Sequence, residues 1–467
     1  MGLTRARLET GLLCMSVNAA IVAWMYPLAA GWVDIIFAAA GASTLLCCCL
    51  VSFYYNNLYD FQIVRSFTDF ASRLLEAFGV AFILLAAFYA LLPGVKVSKS
   101  AFLLGIMAIL AVLVPLRALS YSLMRRRAFP ERVLMVGRSP LAEKILREIE
   151  LRPYLRYEVV GIADDASAAE QVPCPYALVG PLEHLGKILE AAGNPRRIIL
   201  ALSERRARLP VQQLLEARMK GSLVEDGVDT YERLTGKVAI ESLTPSNVIF
   251  SSDFKTSRLA LAAGRALSLA VAVVGLIVSA PLLALIALAI VLDSTGPLFF
   301  VQERLGMHGK RFRLVKFRTM RVADGPTSEW VSDNRDRITR VGKWLRKFRL
   351  DELPQFINVI RGDMNIVGPR PHPVTNVELF GEGIPYYSLR STVRPGLTGW
   401  AQIRFGYANN LAEETEKMRY DLYYIKHLSF WLDLRILFDT VKIILFGRGA
   451  QSADVRVTAA MAVSGGR

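Results

Sequence analysis

The chain has 467 residues, of which 53% are hydrophobic, and it carries a formal net charge of +15. This length predicts two to four domains, and a mean hydropathy of +0.34 is high for a soluble protein, so we expect membrane segments. Four scattered histidines and five cysteines without a Cys-x-x-Cys pair argue against a zinc site and a disulfide framework. A basic chain binds nucleic acid, anionic lipid or phosphorylated substrates; apolar runs beside basic clusters favour the last two, and we expect no nucleic-acid partner.

Residues 1–125 are predicted to form a four-helix transmembrane bundle. They contain four apolar runs near the length that spans a bilayer, at residues 12–30, 33–53, 74–92 and 101–119. Arginines precede the first run, separate the second from the third and follow the fourth, whereas only two lysines separate the third from the fourth. The positive-inside rule then places both ends of the bundle in the cytoplasm and predicts a multi-pass protein.

Residues 130–250 have the alternating pattern of a Rossmann-like cytoplasmic domain. A helix is predicted at 141–150, and strands at 132–136, 158–162 and 197–202. A dinucleotide fingerprint needs three glycines after the first strand; only Gly137 is present, with Ser139 and Ala142 in the other two places. A structural or dimerising domain is therefore the better interpretation than a nucleotide-binding one.

A fifth apolar run, residues 266–292, is long enough to cross a membrane once. Basic residues flank it on both sides, which predicts that both ends lie in the cytoplasm and that the segment is a re-entrant helix. Pro281 removes a backbone donor and is expected to break the helix, with Ser279 available to satisfy a freed carbonyl. These two residues are the predicted membrane kink.

The remaining chain is predicted to alternate short strands with amphipathic helices. Two strands and then two helices are expected, at residues 299–304, 311–317, 338–348 and 429–447. The first helix contains Trp344 among basic residues and either lies on the membrane surface or packs on a soluble core. The second carries too many charges to span a bilayer and is interpreted as interfacial. Residues 448–467 are expected to be a disordered tail.

Two adjacent carboxylates, Asp351 and Glu352, are the main candidates for chemistry. Taken alone, Asp351 is a good helix N-cap with Pro354 just inside the helix. Six neighbouring cations favour a different interpretation: Lys343, Arg346, Lys347, Arg349, Arg361 and Arg370. Carboxylates among cations suit phosphoryl transfer, in which they act as nucleophile or Mg²⁺ ligand, and the cations are expected to lower both carboxylate pKa values.

This acid pair belongs to a block that resembles the polyprenyl-phosphate hexose-1-phosphate transferases, the bacterial sugar transferases that initiate exopolysaccharide and O-antigen synthesis. The similarity covers residues 257–447 and rests on DSTGPLFFVQERLGMHGKRFRLVKFRTM from Asp293, DELPQFINVIRGDMNIVGPRP from Asp351 and RPGLTGWAQI from Arg394. The resemblance implies an α-helical membrane bundle, an α/β Rossmann-like domain and an α+β monotopic phosphoglycosyl transferase domain with a re-entrant membrane helix. It also implies a bacterial inner membrane protein whose catalytic domain, residues 257–447, lies on the cytoplasmic face.

The resemblance also implies the reaction. A sugar-1-phosphate moves from a UDP-sugar to undecaprenyl phosphate, and the products are polyprenyl-diphosphate-sugar and UMP. Asp351 is then the nucleophile that forms a covalent phosphosugar intermediate, and Glu352 is a Mg²⁺ ligand.

Five cations are predicted to bind substrate: Lys316, Arg318, Arg361, Arg370 and Arg394. Lys316 and Arg318 alternate at strand spacing and are expected to point to one side, either toward a diphosphate or into solvent. Two prolines preset the direction of Arg370, whose guanidinium can bind phosphate bidentately. Arg361 either contacts substrate or builds its loop, and Arg394 lies in a glycine-containing loop suited to contact a nucleotide or phosphate.

Three further questions stay open in the sequence. Trp400 is either a substrate contact or a core residue. A membrane-anchored nucleotide-sugar dehydratase needs a Tyr-x-x-x-Lys pair, which the chain lacks. A membrane-anchored ligand-sensing or scaffold protein of polysaccharide assembly is the remaining alternative, although it leaves the motif block without a purpose. We also expect a homodimer through the Rossmann-like domain, whereas the sugar is not specified.

Overall fold

The structure is a computed structural model. It describes residues 32–56, 58, 67–91, 99–125, 130–165, 176–202, 209–243, 245, 248, 254, 257–321, 337–406, 408 and 410–446. The first predicted apolar run, residues 12–30, and the predicted tail, residues 448–467, lie outside this part of the chain.

Three apolar helices form the N-terminal region: α1 Trp32–Tyr55, α2 Phe67–Leu91 and α3 Lys99–Arg125. They share one core, in which Phe53 packs edge-on against Phe78 with ring centres 5.5 Å apart. Of the described helices here, one contains a segment that meets the length and hydropathy criteria for a membrane span, Phe70–Ala90, whereas Ser43–Tyr55 and Phe102–Leu116 are shorter apolar segments. The four-helix transmembrane bundle is thus not confirmed.

A five-stranded parallel sheet with order β3-β2-β1-β4-β5 follows. The strands are β1 Glu131–Val136, β2 Tyr157–Ala163, β3 Leu178–Gly180, β4 Arg197–Leu200 and β5 Leu223–Asp226. The helices are α4 Pro140–Glu150, α5 Leu185–Ala191, α6 Val211–Met219 and α7 Gly227–Thr235. The inner strand β1 is buried on both faces because helices cover each side of the sheet. This confirms the predicted α/β domain.

The fifth apolar run forms one long helix, α8 Arg258–Asp293, with Pro281 inside it. The expectation that Pro281 breaks the helix is wrong at the level of secondary structure, since helical residues continue on both sides. Ser279 Oγ donates to the carbonyl of Leu276, three residues earlier, at 3.5 Å. The helix meets the criteria for a membrane span, and its most apolar window has a mean hydropathy of 2.8 with only 11% of it buried. These facts do not confirm a re-entrant course.

The C-terminal domain packs against α8. Its strands are β6 Phe299–Leu305 and β7 Arg311–Phe317, an antiparallel hairpin, and β8 Asn365–Val367 and β9 Gly396–Thr398, a parallel pair. Its helices are α9 Arg340–Lys347, α10 Phe356–Arg361, α11 Val374–Gly383, α12 Trp400–Arg404, α13 Leu411–Lys426 and α14 Phe430–Phe446. Both predicted strands and both predicted amphipathic helices are confirmed as elements. Trp344 on α9 is 63% exposed and Trp431 on α14 is 73% exposed.

Candidate active site

The acid pair lies in a 3₁₀ turn, Leu350–Gln355, just after α9. Arg349, in the left-handed conformation with φ 54°, occupies the N-cap position, so Asp351 is not the helix cap that the sequence alone allows. Both carboxylate side chains are buried, with Asp351 8% and Glu352 9% exposed. Buried carboxylates are costly without cationic partners, and the neighbouring chain supplies them.

Glu352 is paired with Arg370. Arg370 Nη2 donates to Glu352 Oε1 at 2.8 Å, and Arg349 Nη1 lies 3.9 Å from Oε2. Burial favours the neutral acid, but Arg370, then Arg349 and Lys316, outweigh it and lower the pKa of Glu352. Glu352 is therefore ionised at neutral pH.

Asp351 has the opposite environment. Burial, followed by the negative charge of Glu352, raises the pKa of Asp351 to about 6 against the opposing charges of Lys316, Arg370 and Arg346. The prediction that nearby cations lower both carboxylate pKa values is correct for Glu352 and wrong for Asp351. An ionised carboxylate with a raised pKa is a better nucleophile than an ordinary aspartate, because its anion is poorly stabilised.

Lys316 completes this cluster from β7. Its Nζ lies 4.9 Å from the centre of the Phe300 ring. Burial, then Arg304 and Arg370, lower the pKa of Lys316 to about 8, while Asp351 and Glu352 act in the other direction. The structure thus brings four of the predicted site residues into one electrostatic cluster: Lys316, Asp351, Glu352 and Arg370.

Arg318 lies elsewhere. Its buried guanidinium donates to the carbonyls of Thr295 at 2.5 Å and Ser294 at 2.6 Å, just beyond the end of α8. Carbonyls at a helix C-terminus lack helical partners and carry partial negative charge, so a cation stabilises them. Strand alternation does not extend to Arg318 because β7 ends at Phe317, and its hydrogen bonds hold α8 and the hairpin together.

Arg361 lies next to the turn after α10, and Arg394 contacts the same turn. Arg361 is the exposed last residue of that helix, and Arg394 Nε donates to the carbonyl of Gly362 at 3.3 Å. Arg265, from α8, reaches the same region and donates to the carbonyl of Met364 at 3.1 Å. Two guanidiniums from different elements, those of Arg265 and Arg394, therefore converge on this turn.

A buried polar network behind Arg370 escaped the sequence argument. Arg390 Nη2 donates to the carbonyl of Arg370 at 2.9 Å, and Arg390 Nε donates to Asp421 Oδ2 at 2.9 Å. His372 Nε2 lies 2.9 Å from Glu414 Oε1, and burial together with Arg390 lowers the pKa of His372 to about 3, so the ring is neutral. No local spacing links Arg390 to Arg370, because α11 separates them and Arg390 lies in the 3₁₀ turn that follows it.

A Mg²⁺ ion at this site would be held by the acid pair together with substrate oxygens. Within the described ranges, no group of three or more His, Cys, Asp or Glu side chains is placed to hold a metal by itself. Mg²⁺ is usually bound by one or two carboxylates together with phosphate oxygens and water. Glu352, ionised and adjacent to Asp351, supplies that kind of donor.

Two family models and several known proteins match parts of this chain. A family model described as bacterial sugar transferase matches residues 259–447, and one described as CoA-binding domain matches residues 55–215. The chain is 41% identical over 221 residues to UDP-N-acetylgalactosamine-undecaprenyl-phosphate N-acetylgalactosaminephosphotransferase of Aeromonas hydrophila, covering 47% of this chain and 52% of that protein. UDP-glucose:undecaprenyl-phosphate glucose-1-phosphate transferase of Escherichia coli is 35% identical over 325 residues, 68% of each chain. The Klebsiella pneumoniae protein of that name is 32% identical over 408 residues, 82% of this chain and 85% of that protein.

The family match over residues 259–447 and these relatives define a phosphoglycosyl transferase. The chain belongs to the bacterial sugar transferase family. The resemblance seen in the three sequence segments is thereby confirmed.

The residues after β1 do not fit a phosphate-bearing cofactor such as coenzyme A. In a dinucleotide fold the loop amides here face the phosphates. Arg138 N instead donates to Asp164 Oδ2 at 2.6 Å, and Ser139 Oγ accepts from Ala142 N at 3.1 Å as the cap of α4. A carboxylate already holds a loop amide and would repel a phosphate, so we derive no step through coenzyme A.

Proposed function

We propose that the protein transfers a sugar-1-phosphate from a UDP-sugar to undecaprenyl phosphate, the first step in building an exopolysaccharide or O-antigen repeat unit. The observation that carries the proposal is the unequal acid pair. Glu352 is stabilised as an anion by Arg370, whereas Asp351, next to it, is buried with a pKa raised to about 6. One acid is thus suited to hold charge and the other to react.

The reaction proceeds in two displacements. An Asp351 carboxylate oxygen attacks the phosphorus next to the sugar, a new P–O bond forms, and the bond to the bridging oxygen of the diphosphate breaks to release UMP. An oxygen of undecaprenyl phosphate then attacks the same phosphorus and releases the Asp351 carboxylate. The products are undecaprenyl-diphosphate-sugar and free enzyme, so the mechanism is ping-pong.

The cations stabilise the charge that develops on the phosphate oxygens. Lys316 and Arg370 already lie beside the acids. Arg346 acts on Asp351, and its Nη1 is buried without a hydrogen-bond partner in the described part of the chain, so it is a donor available to a phosphate oxygen. Bound Mg²⁺, held by Glu352, would neutralise diphosphate oxygens.

UMP release tests the reaction. Purified protein with Mg²⁺, undecaprenyl phosphate and a panel of UDP-sugars is expected to release UMP with one sugar, and Asp351→Asn is expected to abolish the release. A donor labelled in the phosphate next to the sugar, given without lipid, should label the wild-type protein and not Asp351→Asn. Wild-type activity in Asp351→Asn would refute the nucleophile, and no release with any UDP-sugar would refute the donor class.

We infer that α8 is a re-entrant membrane helix and that the protein is a multi-pass inner membrane protein with its catalytic domain in the cytoplasm. Support comes from the packing of α8, whose two ends contact the same domain. Gly264 approaches Asp433, and Ile290 packs with Leu345. Between these ends, the outward side carries exposed apolar residues: Val274, Ile277, Val278, Leu282, Leu285 and Leu288.

Thiol labelling tests this course. Single cysteines introduced at Arg258 and Thr295, which flank α8, should both react with a membrane-impermeant reagent only from the cytoplasmic side. Labelling of one flank from each side would show instead that α8 crosses the membrane once.

We also propose a homodimer formed through the Rossmann-like domain. Three apolar residues spaced four apart on α6 are 58% to 82% exposed: Val211, Leu215 and Met219. Such a stripe is typical of a helix face that packs against a partner. A monomeric mass in native membrane nanodiscs would reject the dimer.

A further inference from the structure

The end of the Rossmann-like domain is built into the core of the catalytic domain. Val238 and Ile240 are 0% and 3% exposed and belong to the same apolar cluster as Trp400 and Met364. Val238 N also donates to the carbonyl of Arg419 on α13 at 3.0 Å. Residues 236–243, which follow α7, are therefore docked on the catalytic domain rather than a free linker.

Ion pairs extend this contact. Lys426 Nζ lies 3.1 Å from Glu232 Oε2, and Lys237 Nζ lies 2.8 Å from Glu416 Oε2. Both pairs join the two domains and are partly buried, so salt screens them less than it screens exposed pairs. They bracket one backbone position, Gly236, at the end of α7.

Gly236 contacts Trp400 directly. Trp400 Nε1 donates to the carbonyl of Gly236 at 2.9 Å, and the indole is 4% exposed. Gly236 has φ 70°, and a Cβ added there would lie 3.1 Å from an indole carbon. The guanidinium of Arg404 covers the indole at 4.3 Å, while Tyr423 stacks on it with ring centres 5.7 Å apart. Trp400 is thus a core residue clamped between the two domains.

The backbone beside Trp400 supports the active-site loop. Gly368 N donates to the carbonyl of Thr398 at 2.9 Å, and Gly396 N donates to the carbonyl of Pro369 at 2.9 Å. A Cβ added at Gly399 would lie 2.3 Å from the carbonyl oxygen of Gly368, so the two loops are in direct contact. Arg370, which pairs with Glu352, follows two residues after Gly368. A short chain of contacts therefore runs from Gly236 to the acid pair.

We propose that the Rossmann-like domain positions the transferase active site, with Trp400 as the positioning residue through which Gly236 fixes the loop that presents Arg370. The domain thereby contributes to catalysis through this contact. This inference rests on the proposed function for its activity readout, and on the loop contacts alone for its structural readout. It also assigns a role to Trp400 that is separate from substrate contact.

Two glycines of the Rossmann-like domain provide a matched test in the full chain. Gly236→Ala adds a methyl group against Trp400 at a residue with φ 70°, whereas Gly221→Ala adds one at φ 96° with no atom within 4 Å. Both substitutions impose backbone strain of the same kind. Gly236→Ala is expected to lower kcat for UMP release by roughly two- to thirtyfold, the range for coupling through packed contacts, whereas Gly221→Ala should match the wild type.

Hydrogen exchange provides a readout that needs no activity. The amides of Asn365, Gly368 and Gly396 bond across the two loops, so Gly236→Ala should speed their exchange while Gly221→Ala leaves it unchanged. Loss of kcat together with faster exchange supports the proposal. Normal exchange at these amides in Gly236→Ala would overturn the proposal. A wild-type protein that turns over no UDP-sugar would instead contradict only the proposed function, and the exchange measurement would still test the positioning role.

Trp400→Phe tests the catalytic side of the contact. It removes the hydrogen bond to Gly236, and Tyr386→Phe is its control because the Tyr386 hydroxyl donates to the carbonyl of Leu243 at 3.1 Å in the same interface. Trp400→Phe should lower kcat and act non-additively with Gly236→Ala, whereas Tyr386→Phe should leave kcat unchanged. Equal losses in the two variants would mean that the interface only holds the domains together, and would refute a positioning role.

Discussion

Asp351→Asn is expected to inactivate the protein and at the same time to stabilise it at neutral pH. The pKa of Asp351 is raised from 3.8 to about 6, which corresponds to about 3 kcal/mol of free energy. Because the folded-state pKa lies above the unfolded value, folding favours the protonated acid. The free energy of unfolding therefore falls as pH rises from about 4 through about 6 and stays low above that. An asparagine cannot ionise and removes this cost.

The assay is the apparent melting temperature of wild type and Asp351→Asn in detergent with a metal chelator, from pH 4 to pH 8. For a domain of this size about 1 kcal/mol corresponds to roughly 2–4 °C, so the variant should melt several degrees higher at pH 8 and converge with wild type near pH 4. Glu352→Gln is the control, with the opposite sign. The lowered pKa of Glu352 means that its charge stabilises the fold above pH 4.5, and that this contribution is lost as pH falls through the folded-state pKa. A difference between Asp351→Asn and wild type that is negative or independent of pH would refute the reasoning.

Three further outcomes follow from the same cluster and the network behind it. The kcat/KM for UMP release by wild type should fall about tenfold per pH unit below about pH 6, because Asp351 becomes protonated. A pH profile of kcat/KM that stays flat down to pH 5 would contradict this expectation. The pKa of Lys316 is lowered to about 8, so activity should decline above that pH. Lys316→Arg should remove this decline because arginine stays charged. An unchanged decline at high pH in Lys316→Arg would exclude Lys316 as its source. Arg390→Met should destabilise the fold by about 3–5 kcal/mol because it leaves the buried Asp421 and Glu414 without this cation, and a melting temperature equal to wild type would show that the pair is not needed.

Much of the fold was accessible from the sequence because its signals are local. The strand at 311–317 was predicted with its observed bounds, and the alternating pattern of residues 130–250 gave the parallel sheet. The effect of Pro281 could not be predicted from the sequence, because a helix that packs on its neighbours at both ends tolerates one missing hydrogen bond. Arg318 was similarly inaccessible: strand spacing fixes a direction only while the strand lasts, and this one ends a residue earlier.

The site was less accessible, because its properties depend on contacts between distant segments. The sequence identifies Asp351 and Glu352 as a pair among cations, but it does not show which of the two acids each cation contacts. In the structure Arg370 reaches Glu352, and Arg390 holds the backbone of Arg370 from a segment twenty residues further along. Together with burial, that arrangement makes the pKa values of the two neighbouring acids unequal.

The difference between the pKa values of Asp351 and Glu352 accounts for the two different roles proposed for these adjacent carboxylates. If cations stabilised both anions equally, each would suit a metal ligand, and neither would gain by forming a bond to phosphorus. Pairing one acid with Arg370 leaves the other with a buried charge that is relieved when its oxygen is esterified. In the proposed mechanism, the cost of ionising Asp351 in the folded protein begins to be recovered in the transition state as its oxygen bonds to phosphorus, and such differential stabilisation raises a rate rather than an affinity. Any contact that holds Arg370 on Glu352, including the one that begins at Gly236, therefore contributes to the reactivity of a residue that it never touches.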